Sequence, residues 1–327
     1  KKTNGEDIQT FTDASELIHS GVCQAVIIAV PHYLHPSMAI EAMETGLHVI
    51  VEKPAGVYTK QVEEMNAVAA KHPELVYCMD FNQRTNPLYK KVKDLIDSGD
   101  LGEMTRVIWI VTDWYRSQSY YDQGGWRATW DGEGGGVLLN QNPHNLDLWQ
   151  WMCGIPKRVK SQVYYGKHRN IEVEDDLYAL VEYENGATGC YITTVGDAPG
   201  TNRLEIDGTN GKIVVENNEL TFYRLRIPEP EFNATYKGGL GKPEVWECKI
   251  PIKGTYTSHP GIINNFCDCI LKGAKPIAPG AEGIRGLQIS NAIHLSSWLN
   301  GEWVDIPVNG DLFIEKLQEH CKEPVTK

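Results

Sequence analysis

Strand and helix patterns alternate along residues 22–98, and this alternation constrains the fold more than any other feature. The apolar, β-branched run QAVIIAV at 24–30 is typical of a buried parallel strand, and the helical pattern HPSMAIEAMETG follows it. Two further strand–helix pairs follow, LHVIVEKP with TKQVEEMNAVAAKH and LVYCMDF with NPLYKKVKDLIDSG. Because strands and helices at this spacing form right-handed βαβ units, the segment predicts a parallel sheet covered by helices. A further helix is expected near 13–19. Thr59 is the expected N-cap of the helix TKQVEEMNAVAAKH.

The pattern changes after about residue 101. The run DDLYALVEYENGATGCYITTV predicts two strands joined by Asn185-Gly186, which is a strong hairpin signal. Helical patterns return at 259–272, 281–299 and 311–321, and the stretch 228–244 is the most loop-like part of the chain. These patterns predict an α+β region built on a large, mainly antiparallel open sheet.

Length and pattern together predict two domains, since 327 residues exceed a typical single domain. We expect a partial α/β domain with a parallel sheet at 1–100. We expect an α+β domain at 101–327 that binds substrate and forms oligomers, and its C-terminal helices have the length to pack back on the first domain.

Composition excludes several function classes. A net charge of -12 argues against nonspecific binding to nucleic acid or to an anionic membrane. No apolar run reaches the roughly 18 residues of a membrane helix, and no signal peptide is recognisable. The eight cysteines include no CxxC pair, so we expect no metal site and no disulfide framework. A reducing, cytoplasmic setting is the simplest interpretation.

Two loops follow the ends of predicted parallel strands, where ligands of such sheets bind. The first, AVPHYLH at 29–35, carries His32 and His35; the alternative is an ordinary surface loop. The second, VEKPAG at 51–56, carries Lys53. Burial would lower the pKa of this lysine and make it a better proton carrier. Its alternative is a surface Glu–Lys pair.

A third motif, GEGGGVLLNQNPHNLDLWQW at 132–151, sets polar residues into an apolar stretch. On a helix Asn140, His144, Asp147 and Trp151 would share one face, since they stand at i, i+4, i+7 and i+11. The preceding glycines permit close backbone approach. A polar face on an apolar helix predicts a cavity or a site, although a lone buried histidine is more often a satisfied core residue.

The segment DWYRSQSYYDQGGWRATW at 113–130 combines aromatic rings with two arginines. Flat rings and a few polar donors suit a sugar, whose ring has apolar faces and a rim of hydroxyls. The sequence equally allows a loop that aromatic anchors pin to the body. On the first interpretation the expected substrate-binding residues are Tyr115, Arg116, Trp126, Arg127 and Asp147.

These motifs, in this order and over nearly the whole chain, resemble the glucose–fructose oxidoreductase / inositol dehydrogenase (Gfo/Idh/MocA) family. AVPHYLHPSMAIEAMETGLHVIVEKP resembles its strand–loop–helix–EKP signature, GGGVLLNQNPHNLDL its histidine helix, and NFCDCILKGAKPIAPGAEGIRGLQISNAIHLSSW its C-terminal helices. The resemblance implies a Rossmann domain, NAD or NADP, and hydride transfer at a carbon of a sugar, glycoside or polyol. Lys53 matches the EKP lysine and His144 the helix histidine, whereas Asn140 stands where many members have aspartate.

The resemblance also implies the remaining site residues and partners. With Lys53, His144 and Asn140 as catalytic residues, the nicotinamide side of the cofactor site would comprise Pro31, His32, His35, Glu52, Lys53 and Asn82. The open sheet would serve a homodimer or homotetramer. Two alternatives stay open: a member that processes glycosides by transient oxidation with bound NAD, and a non-catalytic sugar- or nucleotide-binding regulator.

The family's first strand, its G-x-G-x-x-G turn and the acidic residue after its second strand have no counterpart here. The first strand–helix pattern of this chain corresponds to the third βα unit of the family. The family's first two βα units, roughly 60 residues, have no counterpart in this sequence. We therefore expect the chain to be a fragment of a longer protein, with the edge of its first parallel strand uncovered.

Overall fold

A computed structural model describes residues 2–3, 6–322 and 324–325. The chain begins with two short antiparallel strands, β1 (Lys2–Thr3) and β2 (Glu6–Asp7), and a helix, α1 (Ala14–His19). The Asp13 carboxylate accepts a hydrogen bond from the backbone N–H of Glu16, which caps α1 as an N-cap aspartate should. The helix predicted near 13–19 is therefore confirmed.

A three-stranded parallel sheet forms the first layer, in the order β3-β4-β5. Its elements are β3 (Ala25–Ile28), α2 (Leu34–Glu44), β4 (His48–Val51), α3 (Thr59–Ala69) and β5 (Tyr77–Met79). The predicted βαβ pattern is confirmed. The free side of β3 is a sheet edge, and Ile27 on this strand is 50% exposed, as expected for an uncovered apolar edge.

The start of α3 differs from the prediction. Tyr58, not Thr59, is the N-cap residue. The Gln61 side chain reaches back, and its Oε1 accepts from the N–H groups of Val57 and Tyr58 at 2.7 and 3.2 Å. The Thr59 N–H donates to Asn291 Oδ1 at 3.1 Å. A partner more than 200 residues away therefore takes the place of the local cap.

The rest of the chain builds a nine-stranded sheet in the order β13-β12-β11-β10-β6-β9-β8-β7-β14, antiparallel at every pair except β6–β9. Its strands are β6 (Met104–Val111), β7 (Arg158–Tyr165), β8 (Glu174–Glu182), β9 (Thr188–Thr194), β10 (Asn202–Gly208), β11 (Gly211–Glu216), β12 (Glu219–Leu225), β13 (Val245–Ile250) and β14 (Val304–Asp305). The remaining helices are α4 (Pro87–Asp97), α5 (Gln118–Tyr121), α6 (Pro143–Cys153), α7 (Glu229–Thr235), α8 (Ser258–Lys272), α9 (Gly283–Trp298) and α10 (Gly310–Gln318), with 3₁₀ turns at Asn82–Thr85 and Gly280–Glu282.

The hairpin and the C-terminal helices agree with the sequence patterns, and one loop does not. Strands β8 and β9 are joined through Asn185-Gly186, where Gly186 has φ +85° and the Asn185 side chain accepts from the Ala187 N–H at 3.0 Å. The stretch 228–244, expected to be a loop, contains α7. That helix buries no residue, so its sequence has no apolar periodicity to reveal it.

Helix α9 connects the two layers. It packs on β7, where the Ser161 hydroxyl donates to the Ile293 carbonyl at 2.6 Å. Its Asn291 bonds Val57 and Thr59 at the start of α3. The C-terminal helices thus pack back on the parallel-sheet layer. No helix in the described part of the chain combines the length and the apolarity that crossing a membrane requires.

Candidate active site

The candidate site lies where the parallel strands end. His32 follows β3, Lys53 follows β4 and Asn82 follows β5, so the three loops meet at one edge of the sheet. Helix α6 and the glycine-rich segment before it approach this edge from the second layer. The contacts below show which predicted residues the fold brings together.

Lys53 joins the two layers. Its Nζ donates a hydrogen bond to the backbone carbonyl of Asn140 at 2.8 Å. Burial lowers the pKa of the Lys53 amine, the nearby Glu52 and Glu133 carboxylates oppose this, and Arg127 and Arg116 add to it. A lowered pKa makes the neutral amine of Lys53 easier to form, and this is the form that can accept a proton.

His144 is the second residue of α6, so its ring enters the site from the helix N-terminus. Its Nδ1 is buried and has no hydrogen-bond partner among the described residues. Burial, followed by the charges of Lys53 and His259, lowers the pKa of His144 to about 3. The ring is therefore neutral at pH 7, and its Nδ1 is a buried polar atom that no described residue satisfies. The Phe81 ring meets it edge-on at 6.4 Å.

The predicted polar face of a single helix is wrong. Helix α6 begins at Pro143, so Asn140 precedes it and lies in an irregular turn. The Asp147 carboxylate is fully buried and accepts from Arg84 Nε at 2.8 Å and Nη2 at 2.6 Å. Arg84 also donates to Glu282 at 2.6 Å. Asp147 therefore anchors α6 to the loop after β5, which corrects its expected contact with substrate.

Asn140 reaches the site in a different way. Its carbonyl holds Lys53, and its side-chain amide donates to Glu133 Oε1. Glu133 is buried, and its Oε2 accepts from the Ala128 N–H at 2.7 Å. Burial raises the pKa of Glu133. Sequence analysis missed this carboxylate, although an acidic residue between Gly132 and Gly134 was a signal that could have found it.

Close backbone approach at the glycines is confirmed. The Glu174 carboxylate accepts from the N–H groups of Gly136 and Leu138 at 2.7 and 2.9 Å. A Cβ on Gly136 would collide with the Glu174 carbonyl, and Gly134 has φ +79°. These contacts fix the turn that carries Asn140.

The two histidines of the first loop are buried, so the alternative of a surface loop is wrong. His32 Nδ1 lies 2.9 Å from the Glu133 carbonyl, and burial lowers the pKa of His32 to about 3. His35 places its ring nitrogens 2.7 and 2.8 Å from the carbonyls of Pro54 and Val30. Burial lowers the pKa of His35, so its neutral ring donates to one of these carbonyls and packs between the two loops. Its expected contact with the cofactor stays a prediction.

Glu52 and Asn82 meet a residue that sequence analysis did not single out. His259, at the start of α8, places its Nδ1 3.0 Å from Asp80 Oδ2 and 3.8 Å from Glu52 Oε1. Its Nε2 lies 2.7 Å from the Asn82 amide. Burial and the neighbouring Asp80 raise the pKa of Glu52. The Glu52 and Asp80 carboxylates and the His259 ring each place one oxygen or nitrogen atom within 4.8 Å of the others.

Some rings of the aromatic segment at 113–130 are buried anchors, and others are exposed as a sugar-binding surface would require. Trp130 and Tyr121 are buried anchors. Tyr115 and Trp126 are 49% and 38% exposed, and Trp126 meets the His32 ring edge-on at 6.3 Å. Trp126 therefore lies beside the site at His32, Tyr115 lies exposed next to Arg169, and the buried rings hold the segment in place.

The sequence of this chain is similar to those of known oxidoreductases. Residues 2–79 match a family described as oxidoreductases with an NAD-binding Rossmann fold, and residues 89–214 match the GFO/IDH/MocA C-terminal domain. The chain is 30% identical to 1-carboxy-3-chloro-3,4-dihydroxycyclo hexa-1,5-diene dehydrogenase of Comamonas testosteroni, covering 83% of this chain and 67% of that protein. It is 26% identical to levoglucosan dehydrogenase of Pseudarthrobacter phenanthrenivorans, covering 90% and 83%.

A solved structure agrees with the same assignment. The WlbA dehydrogenase from Bordetella pertussis, in complex with NADH and UDP-GlcNAcA, superposes with a TM-score of 0.76 at 26% identity, over 91% of this chain and 83% of that one. The resemblance first drawn from the EKP loop and the histidine helix is thereby confirmed. The chain belongs to the GFO/IDH/MocA family of NAD(P)-dependent oxidoreductases.

Proposed function

We propose that the chain transfers a hydride between a nicotinamide cofactor and a carbon of a sugar, glycoside or polyol. One observation carries the proposal: the Lys53 amine and the unpartnered Nδ1 of His144 lie at the edge where the parallel strands end. A buried nitrogen without a partner costs stability unless a ligand or water completes it. The relatives act on compounds such as levoglucosan and scyllo-inositol, which supports a hydroxylated ring as substrate.

The residues fit the nicotinamide end of a dinucleotide. The Pro31 loop, Glu52 and Lys53 lie at the strand ends, and Asn82 contributes an amide beside them. When bound, the nicotinamide accepts or returns the hydride. The protein must then handle the hydroxyl proton and hold the substrate.

We assign the proton to Lys53 and orientation of the hydroxyl to His144. A histidine with a pKa of about 3 is a weak base at pH 7, so it accepts a hydrogen bond without taking the proton. The Lys53 amine has a lowered pKa, and its cationic form also stabilises a developing alkoxide. Asn140 links this amine to Glu133, whose charge favours the protonated lysine.

The test is a substrate screen that follows NADH or NADPH formation with the purified protein. The panel contains inositols, monosaccharides and simple glycosides, and Lys53→Met serves as the inactive control. Cofactor reduction by wild type but not by Lys53→Met supports the proposal. Tightly held NAD with turnover of a glycoside but no net NADH would identify the transient-oxidation variant. Sugar binding without any turnover would identify a regulator and refute the proposal.

We further propose a reducing, cytoplasmic setting and a homo-oligomer. All eight cysteines are free, which supports the first. One face of the large sheet packs on α9, and the other exposes Tyr178 and Leu180 at 47% and 51%, with Tyr164 beside them. An apolar open sheet face supports self-association through that face. Light scattering on the purified chain tests the oligomer directly.

A further inference from the structure

Two arginines in the aromatic segment share one tyrosine ring. The Cζ atoms of Arg116 and Arg127 each lie 5.2 Å from the centroid of Tyr120. Arg127 also lies 4.8 Å from the Trp126 centroid, and Arg116 lies 5.4 Å from that of Trp114. Aromatic faces attract both cations, but two guanidinium groups on one ring also repel each other. The rings alone therefore do not balance the two positive charges.

Neither arginine forms an ion pair within residues 6–322, although the charge of Arg127 opposes the burial that raises the pKa of Glu133. Arg116 Nη1 donates to the Tyr115 carbonyl at 2.9 Å, and Arg127 Nη1 donates to the Tyr120 hydroxyl at 3.0 Å. Over residues 6–322, no carboxylate oxygen lies within 4.0 Å of a guanidinium nitrogen of Arg116 or Arg127. The Nε of Arg116 is buried and has no hydrogen-bond partner. With 43 acidic residues against 31 basic ones, this chain had ample carboxylates with which to neutralise the pair.

Main-chain hydrogen bonds fix the backbone of Arg116, while its side-chain Nε has no partner among the described residues. The Arg116 N–H donates to the Val195 carbonyl at 3.0 Å, and its carbonyl accepts from Arg169 Nε at 2.5 Å. The other Arg169 nitrogens donate to the carbonyls of His168 and Val195 at 2.7 and 3.4 Å. Arg169 is therefore a structural brace. It fixes the backbone from which the Arg116 side chain extends.

The pair lies beside the catalytic groups. Trp126, which carries Arg127 on its ring, faces His32, and His32 contacts the Glu133 carbonyl. Glu133 in turn is linked to Lys53 through Asn140. The charges of Arg116 and Arg127 both reach the Lys53 amine and help to lower its pKa.

We propose that Arg116 and Arg127 bind an anionic group, a carboxylate or a phosphate, carried by the same sugar or polyol whose hydroxyl is oxidised at Lys53. This inference rests on the proposed function and narrows its substrate to sugar acids or sugar phosphates. The planar guanidinium fork matches the paired oxygens of both anions, and such charge-assisted bonds are the strong ones. The diphosphate of a dinucleotide offers the same chemistry, so the experiment must separate the two sources.

The experiment compares acids with their neutral parents on the purified protein. Calorimetric titrations use D-glucuronate against D-glucose, D-gluconate against D-glucitol, and D-glucose 6-phosphate against D-glucose. We expect at least one acid to bind more tightly than its parent. Arg116→Gln and Arg127→Gln should each weaken that binding about 10- to 100-fold and leave the neutral parent unaffected, as expected for loss of a bond to a charged group. Arg226→Gln, which removes an exposed arginine paired with Glu244, is the matched control and should change nothing.

Arg116→Lys keeps a charge without the fork and should retain part of the affinity, which separates specific binding from general charge. Equal binding of acids and parents, or a preference that survives both Gln substitutions, would overturn the inference. If the substitutions weaken NADH as much as the acid, the pair serves the cofactor diphosphate and the substrate assignment is wrong.

Activity on the same panel keeps the two proposals distinguishable. If the protein oxidises the neutral parents but not the acids, the proposed function stands and the anion-site proposal is wrong. Binding of acids through both arginines without any reduction of NAD would refute the oxidoreductase assignment and leave the anion site standing. Oxidation of an acid, lost in either Gln variant through KM more than through kcat, supports both.

Discussion

Two buried carboxylates in one short segment, Glu133 and Asp147, have opposite roles. Asp147 is held by two nitrogens of Arg84, so its charge is matched within the fold. Glu133 accepts hydrogen bonds from two neutral donors, the Asn140 amide and the Ala128 N–H; burial raises its pKa, and the more distant Arg127 charge opposes this. A carboxylate matched by an arginine stabilises the packing, whereas one held by neutral donors can act on the charge of Lys53. Both side chains are carboxylates and both residues are only 1% exposed, so their partners decide the role.

The largest expected effect is on stability, at Asp147. Asp147→Ala leaves the Arg84 guanidinium buried and short of its main partner, so the free energy of unfolding should fall by about 3–5 kcal/mol. Glu133→Gln leaves no charge unpaired and should lower it by less than about 1.5 kcal/mol. Urea denaturation of both variants measures the difference. Equal losses would show that both carboxylates belong to the fold and would remove the distinction.

Next in size is the effect of His144→Ala on turnover. Loss of the group that orients the reacting hydroxyl should lower kcat by about 10²–10⁴-fold, without loss of fold, because His144 Nδ1 bonds no residue of the described structure. Steady-state kinetics on the substrate found in the screen, with circular dichroism as the folding control, measure it. A variant with unchanged kcat, or one that unfolds, would make His144 a core residue.

A smaller effect is expected from Glu133→Gln on the pH dependence of kcat. The Glu133 charge raises the pKa of Lys53, so its removal lets that pKa fall further. Because oxidation needs the deprotonated amine, the rising limb of the pH–kcat profile should move to lower pH. An interaction worth one pKa unit corresponds to about 1.4 kcal/mol. A limb that stays in place would mean that Glu133 does not act on Lys53.

The smallest effect is expected from Asn140→Asp, with the opposite sign. A carboxylate at this position raises the pKa of Lys53 and of His144, so the limb should move to higher pH. The shift is partial, because the new carboxylate lies against Glu133 and the two would share a proton. A downward shift, or none, would show that the side chain at 140 does not communicate with the proton-carrying groups.

The fold was largely predictable because its signals are local. Apolar runs such as 24–30 and the Asn185-Gly186 turn specify strands and a hairpin from nearby residues. Site residues were predictable where a side chain follows a strand end, as Lys53 does, or stands in the glycine-rich histidine motif, as His144 does. Asp147 was assigned to the substrate because its partner, Arg84, lies 63 residues away and leaves no trace in the local pattern. Glu133 was overlooked for the same reason, since its link to Lys53 passes through Asn140.

The central claim is that the Lys53 amine carries the hydroxyl proton, and chemical rescue tests it most directly. Lys53→Ala should lower kcat about 10²–10⁴-fold in a protein that remains folded. Ethylamine or another small primary amine, added at rising concentration, should restore part of this activity with saturation, while Lys53→Arg should stay inactive because a guanidinium does not release its proton near neutral pH. Rescue by amines supports the account. A folded Lys53→Ala variant with wild-type kcat, or one that no amine restores, would contradict it.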